Sequence, residues 1–142
     1  MLDRLHTDVR VLARQGGADA SQLAVLSARF PALPPMCLEL FAGATELELS
    51  YRGVYIRFYG PSGCLEMDRA YNISARIPGA IVVGDNGGGE AVVFMSTSPG
   101  PGLFRVGYGA LAVDELVSIA PSLEALLVQG LPDPANVGAC RA

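Results

Sequence analysis

Residues 46–59, ELELSYRGVYIRFY, alternate apolar and polar positions on both sides of an Arg-Gly pair. This alternation predicts two half-buried strands, and a two-residue turn at Arg52 and Gly53 predicts their register. The pairs in that register are Tyr51 with Val54, Leu49 with Ile56, Leu47 with Phe58 and Glu48 with Arg57. One face of the hairpin is then wholly apolar, and the other carries an opposite-charge pair that contributes about 0.2–1 kcal/mol.

Apolar residues at spacings of three and four predict helices before this hairpin. Leu5, Val9 and Leu12 give residues 3–14 an apolar stripe that ends at a Gly-Gly pair. The stripe predicts a first helix over residues 3–14.

Two further helices are predicted between the first helix and the hairpin. Residues 21–30, SQLAVLSARF, carry a second apolar stripe, and Asp19 or Ser21 can cap its start. Residues 36–43, MCLELFAG, follow two prolines, which fit a first helical turn because that turn needs no backbone donor. The residues of this third helix expected to point inward are Met36, Cys37, Leu40 and Phe41.

The second half of the chain predicts a helix, three strands and a last helix. Ser62 can cap a helix over residues 62–73, SGCLEMDRAYNI. The continuous apolar runs 80–83 and 91–95 are typical of interior strands, and the glycine-rich loop between them makes a second hairpin. A further strand is expected at residues 103–108, and a final helix, PSLEALLVQG, at residues 121–130.

These elements predict one α+β domain over residues 1–142, with helices at both ends and an antiparallel sheet of about five or six strands. Residues 131–142 carry too little apolar content to fold alone, and we expect them to be a loose tail. Apolar residues make up 51% of the chain and charged residues 17%, against about 25% in ordinary proteins, so a substantial core is expected.

Charge and cysteine usage narrow the function classes. The formal net charge is −4 and the basic residues form no run, which argues against direct binding to nucleic acid. An acidic surface favours a basic protein partner instead. The three cysteines are widely spaced, the N-terminus lacks the apolar core of a signal peptide, and no segment reaches the roughly 18 apolar residues of a membrane span. We therefore expect a cytoplasmic protein with reduced thiols.

The segment 82–95, VVGDNGGGEAVVFM, is considered as a binding site for three kinds of ligand: a phosphate, a dinucleotide and calcium. A phosphate cradle needs a lysine and a following helix, and a dinucleotide site needs GxGxxG before a helix, so neither fits this segment. A calcium loop needs more oxygen ligands than Asp85, Asn86 and Glu90 provide. The glycines are better explained by the positive φ angles of a tight hairpin turn. No cofactor or metal ligand is predicted.

Catalytic signals are equally sparse. His6 is the only histidine, and a hydrolase would have to combine it with Cys37 or Cys64 as nucleophile. Close pairs of carboxylates occur along the chain, but such pairs usually lie on a solvated face. We expect a protein that is not an enzyme and has no catalytic residue.

The order of the motifs resembles the SUKH superfamily, which contains bacterial toxin-immunity proteins and the yeast cell-wall glucan-synthesis regulator. Three segments carry the resemblance, over roughly residues 20–130. The first is the LP segment, at Leu33 and Pro34. The second is the glycine hairpin, at Gly84, Gly87, Gly88 and Gly89. The third is the last helix, at Ile119, Ala120, Ser122, Leu123 and Leu127.

The resemblance implies a SUKH-like α+β fold and a protein-binding function. The immunity proteins of that superfamily neutralise a cognate toxin, often a nuclease, so the resemblance implies an immunity protein that covers the toxin's active surface. Two alternatives remain: a general interaction or regulatory scaffold without a toxin, and a small hydrolase that uses His6. A homodimer formed through an edge strand is also possible.

Candidate partner-binding residues lie on the polar face of the first hairpin and in the glycine loop. Tyrosine and arginine are enriched at interfaces, and the hairpin places these residues away from the expected core. The alternative is that this face packs beneath a helix. The candidates are Glu46, Glu48, Tyr55, Arg57, Tyr59, Asp85, Asn86 and Glu90.

Overall fold

The computed structural model describes residues 2–131, which form a seven-stranded antiparallel sheet with helices on it. The strands are β1 (Val9–Gln15), β2 (Thr45–Tyr51), β3 (Val54–Phe58), β4 (Ala80–Asp85), β5 (Glu90–Met95), β6 (Gly102–Gly107) and β7 (Val117–Ala120). The helices are α1 (Ala20–Arg29), α2 (Pro35–Gly43), α3 (Pro61–Tyr71), α4 (Ile73–Arg76) and a C-terminal π-helix (Ala125–Gln129). Short 3-10 turns lie at Leu2–Arg4 and Val113–Glu115. The class is α+β as predicted, with seven strands in place of about five or six.

The strands of the sheet follow one another in chain order. The order is β1-β2-β3-β4-β5-β6-β7, and every neighbouring pair is antiparallel. Strands that are consecutive in sequence usually pair in space, because short connections cost little chain entropy. Within the described residues, β1 and β7 are therefore the two edges of the sheet.

The register predicted for the first hairpin is confirmed. Tyr51 pairs with Val54 beside the turn, and the pairing continues to Leu47 with Phe58. Arg52 and Gly53 have φ angles of 49° and 82°, so both central residues lie in the left-handed region. Turns of this kind match the right-handed twist of the strands they join, which is why two residues suffice here.

The predicted N-terminal helix over residues 3–14 is wrong. A 3-10 turn at Leu2–Arg4 is followed by β1, which pairs with β2. The expected apolar stripe does not reach the core, since Leu12 is 52% exposed. Pairing with β2 supplies the backbone hydrogen bonds of this segment, and its β-branched valines fit a strand, so tertiary pairing outweighs the helical spacing.

The predictions for the next two helices are confirmed. Asp19 caps α1: its Oδ1 accepts from the backbone N–H of Gln22 at 2.8 Å, and the Gln22 side chain accepts from the backbone N–H of Asp19. Pro35 is the first residue of α2. The buried residues of α2 are Cys37, Leu40 and Phe41, while Met36 is partly buried.

Helix α3 begins one residue earlier than expected and is followed by a second helix. Gly60 is its N-cap and Pro61 its first residue, so Ser62 is not the cap. The helix ends at Asn72, whose φ of 54° is left-handed, and α4 starts directly afterwards. The buried Asp68 joins the two helices by accepting from the backbone N–H and the hydroxyl of Ser74, at 2.8 and 2.9 Å.

The C-terminal part adds a strand that was not predicted. β7 pairs with β6 and has only four residues. After it, helical structure starts at Leu123 and continues as the π-helix, and Gly130 ends it with a φ of 83°, as expected. Apart from Leu131, the predicted loose tail lies outside the described residues.

Helices border both faces of the sheet. Ile56 and Arg57 are neighbours on β3, so their side chains leave opposite faces. Ile56 lies on the apolar face, where it borders the same small cavity as Leu126 of the C-terminal helix. On the other face, Tyr59 packs so closely against Gly63 of α3 that a Cβ there would lie 2.8 Å from the Tyr59 side chain. The face of Arg57 thus lies beside α3.

Candidate functional site

An ion pair joins β3 to the end of β4 on this second face. Arg57 lies opposite Asp85 in the strand register, so the two side chains leave the same face. Arg57 Nη2 donates to Asp85 Oδ2 at 2.8 Å. The Asp85 side chain is 13% exposed and that of Arg57 is 40% exposed, which makes the pair half-buried.

Asp85 gathers two further donors. The Tyr59 hydroxyl donates to its Oδ2 at 2.7 Å, and the backbone N–H of Gly87 donates to its Oδ1 at 2.9 Å. A carboxylate can accept several hydrogen bonds, and bonds to a charged group are the stronger kind. Asp85 therefore fixes the hairpin, the residue after it and the glycine loop relative to one another.

A row of tyrosines continues the network towards α3. The Tyr59 hydroxyl, which donates to Asp85, lies 3.1 Å from the Tyr108 hydroxyl, so Tyr108 is the donor in that contact. The Tyr108 ring packs against the Tyr71 ring of α3 with centroids 4.3 Å apart and planes tilted by 35°. We call Asp85, Arg57, Tyr59 and Tyr108 the Asp85 network.

The environment favours one protonation state for the two tyrosines and the arginine of the network. Burial raises the pKa of Tyr59 far above its usual value, and burial also raises the pKa of Tyr108. The hydrogen bond to Asp85 raises the pKa of Arg57. At neutral pH the tyrosines are therefore neutral donors and the guanidinium is charged, which suits a fixed structural network.

Two carboxylates on β2 flank the network. Glu48 accepts from the Tyr55 hydroxyl at 2.6 Å, and this hydrogen bond raises the pKa of Tyr55 to about 12. Glu46 Oε2 lies 3.9 Å from Arg57 Nη1, and both side chains are 40% exposed. We call Glu46, Glu48, Tyr55, Arg57 and Asp85 the acidic face, since it combines three carboxylates with one guanidinium.

The glycine loop is held by its own side chains. Asn86 Oδ1 accepts from the backbone N–H of Gly88 at 2.9 Å, and Asn86 Nδ2 donates to Glu90 Oε1 at 2.8 Å. Gly87 and Gly89 have φ angles of 74° and 90°. Glycines adopt such angles without steric cost, so these two residues serve the geometry of the turn, as expected.

The structure brings some of the predicted candidates together and separates others. Glu46, Glu48, Tyr55, Arg57 and Asp85 share one face. The Asn86 side chain instead binds Glu90 and borders the cavity on the Ile56 face. Glu90 lies on the opposite face, because its neighbour Ala91 is the residue that pairs with Asp85. There Glu90 forms a salt bridge with Arg105 at 2.9 Å.

Two expectations about exposure need correction. Tyr59 is 3% exposed and lies against α3, so it is not an exposed anchor. Asp85 was expected at the tip of the loop, but its carboxylate points to Arg57 and Tyr59, where donors compensate its burial. The rest of the acidic face stays partly open, so packing beneath a helix applies to Tyr59 and not to the flanking glutamates.

The sequence did not predict that Tyr108 joins the Asp85 network or that Arg105 pairs with Glu90. Both follow the segment STSPGPG, whose length and geometry do not fix the register of β6. A register with Glu90 opposite Gly107, as the structure has it, would have placed Tyr108 beside the glycine loop and Arg105 near Glu90. The only signal in the sequence was a tyrosine that ends an apolar strand.

The residues considered for catalysis are poorly suited to it. His6 Nδ1 accepts from the backbone N–H of Asp8 at 3.0 Å, and its ring lies against Gly130. Cys37 is 2% exposed, and burial raises its pKa to about 12. Cys64 is fully buried, and burial raises its pKa as well. Both thiols are therefore protonated at neutral pH, whereas a nucleophilic cysteine needs the thiolate.

Two general observations concern residues 2–131 as a whole. No group of three or more histidine, cysteine, aspartate or glutamate side chains in this range is placed to hold a metal ion. None of the helices in the same range is long and apolar enough to cross a membrane.

No protein-family model matches the chain, and no curated protein sequence gives a significant match.

Proposed function

We propose that this chain is a SUKH-like immunity protein of the cytoplasm, which binds a cognate toxin and covers its active surface without catalysing a reaction. The acidic face carries this proposal: Glu46 and Glu48 flank a half-buried Arg57–Asp85 pair beside the tyrosine row. The motif order of the SUKH resemblance gives the second support.

The charge of the face fits a basic partner. Three carboxylates outnumber the single guanidinium, and the chain as a whole carries a net charge of −4. A nuclease must present arginine and lysine side chains to bind phosphates. Complementary charge raises the rate of encounter with such a surface and fixes the orientation of the complex.

The rigidity of the face favours tight binding. Asp85 is held by three donors, and Tyr55 is held by Glu48 at 2.6 Å. Side chains that are already ordered lose little conformational entropy when a partner binds. Tyr55 offers a large contact area with only two rotatable bonds, which is typical of residues at the centre of interfaces.

The two alternatives differ in what they require. A regulatory scaffold would use the same acidic face with a partner that is not toxic, so the identity of the partner separates it from immunity. A hydrolase would require a reactive cysteine near His6, and the raised pKa of the buried Cys37 thiol makes this the weaker alternative.

The direct test is protection of growing cells. We expect cells that express the toxin-like product of the adjacent reading frame to survive only when this chain is present, and purification of the chain to recover a stoichiometric complex. Glu46→Lys with Glu48→Lys should abolish protection. The control Glu66→Lys changes an exposed residue of α3 and should protect normally. The immunity function would be refuted if the wild-type chain gave no protection and formed no complex.

A further inference from the structure

The two edges of the sheet carry most of the exposed apolar side chains. Within residues 2–131, seven large apolar side chains are exposed, and four of them lie at or beside β1 and β7. They are Val11 at 39%, Leu12 at 52%, Val113 at 47% and Val117 at 44%. An edge strand also presents a row of unpaired backbone donors and acceptors, so both edges can accept a further strand.

Strand β1 is unusual because its side chains are exposed on both faces of the sheet. Every residue after Val9 in this strand is exposed, although alternate side chains leave opposite faces. Arg10 and Arg14 are its only charged residues, so this edge is basic in a chain of net charge −4.

The edge at β7 has the opposite charge. Asp114 and Glu115 lie in the 3-10 turn directly before the strand, next to the exposed Val117. Within residues 2–131, neither these carboxylates nor Arg10 and Arg14 form an ion pair with another side chain. One edge therefore offers unpaired positive charges and the other unpaired negative charges.

We propose that the chain associates head to tail, with β1 of one copy binding β7 of the next. An antiparallel alignment that sets Leu12 opposite Val117 brings the end of β1 that carries Arg14 towards the 3-10 turn that carries Asp114 and Glu115, so apolar and charged contacts favour the same direction of pairing. The added strand would pair the backbone groups that each edge leaves open.

The charges also select against the other pairings. Two β1 edges would bring arginines together, and two β7 edges would bring carboxylates together; like charges facing each other across strands are destabilising. The bulges of β1 at Leu12 and Arg14 further limit pairing to a partner of suitable shape. Head-to-tail contacts of this kind form rings or open chains rather than two-fold dimers.

Charge exchange tests the proposal directly. The mass of the purified chain is measured by sedimentation up to millimolar concentration, at low and high salt. We expect concentration-dependent association that salt weakens. Two double variants are compared: Arg10→Glu with Arg14→Glu, and separately Asp114→Arg with Glu115→Arg. Each should be folded by circular dichroism and monomeric by sedimentation. A mixture of the two variants should associate again, because each supplies the charge that the other lost.

Several results would overturn it. The proposal is wrong if the wild-type chain stays monomeric at the highest concentration. It is also wrong if the folded charge variants associate as the wild type does, or if the mixture of the two variants stays monomeric. If either charge variant fails to fold, Leu12→Lys replaces it, since Leu12 is exposed and its change should leave the fold intact. Association of the folded Leu12→Lys variant as strong as that of the wild type would equally contradict the proposal.

Discussion

Arg57 and Asp85 lie opposite each other across β3 and β4, and their side chains form an ion pair of 2.8 Å. The pair crosses between two hairpins that the chain forms separately. Because Asp85 also accepts from Tyr59 and from Gly87 in the glycine loop, it couples the core-facing tyrosine to the surface that we propose binds a partner.

Replacement of this carboxylate should lower stability. Asp85→Ala leaves Tyr59 and Arg57 without their acceptor, and we expect the free energy of unfolding to fall by about 2 kcal/mol. Glu66→Ala, at an exposed position of α3, should change it by less than about 0.5 kcal/mol. Urea denaturation of both variants measures the difference, and equal stability would show that the Asp85 network contributes nothing.

Two neighbouring glycines should respond differently to alanine. Gly89 has a φ of 90°, so Gly89→Ala should cost about 1–2 kcal/mol of stability through backbone strain alone, since the space around its Cβ is open. Gly88 does not have a positive φ, and its Cβ would meet only Asn86 Oδ1 at 3.5 Å. Gly88→Ala should therefore be neutral or slightly stabilising. A similar loss of stability in Gly88→Ala and Gly89→Ala would contradict the assigned backbone geometry.

The apolar face of the first hairpin should tolerate truncation poorly. Phe58 is 1% exposed, and Phe58→Ala should lower the free energy of unfolding by about 3–5 kcal/mol because it removes buried area and leaves a cavity. Val54 belongs to the same strand but is 56% exposed, so Val54→Ala should cost less than about 1 kcal/mol. A loss in Val54→Ala as large as that in Phe58→Ala would place the core elsewhere.

Alkaline pH should destabilise the protein through its tyrosines. The hydrogen bond to Glu48 raises the pKa of Tyr55 from 10.0 to about 12, so the unfolded chain releases this proton first. The stability that Tyr55 contributes is fully present below pH 10 and is lost as the pH rises towards 12. The chain contains no lysine to obscure this titration. Denaturation over this pH range should show a smaller loss of stability for Tyr55→Phe than for the wild type. Identical losses of stability would refute the assigned hydrogen bond between Tyr55 and Glu48.

Local patterns predicted the parts of the fold that local chemistry decides. The alternation around Arg52 and Gly53 specified the β2–β3 register, since any shift by one residue would turn the apolar face outwards. The glycines of the second hairpin and the capping residue Asp19 were predictable for the same reason: each satisfies a backbone requirement within a few residues.

The largest misses depend on pairing between distant segments. β1 forms a strand because β2 lies beside it, and its helical spacing of Leu5, Val9 and Leu12 carries no information about that neighbour. β7 is four residues long and is recognisable only by its pairing with β6. Tyr108 joins the Asp85 network through a register set beyond a Pro-Gly connection, so its role could not be derived from sequence spacing.

We propose that the acidic face binds a basic protein partner. The dissociation constant of the purified complex, measured by calorimetry at low and high salt, reports directly on this binding. Glu46→Lys with Glu48→Lys should weaken binding at least tenfold, about 1.4 kcal/mol, and reduce its salt dependence, while Glu66→Lys should bind as the wild type does. Equal affinity of the folded double variant and the wild type would show that the acidic face is not the binding surface.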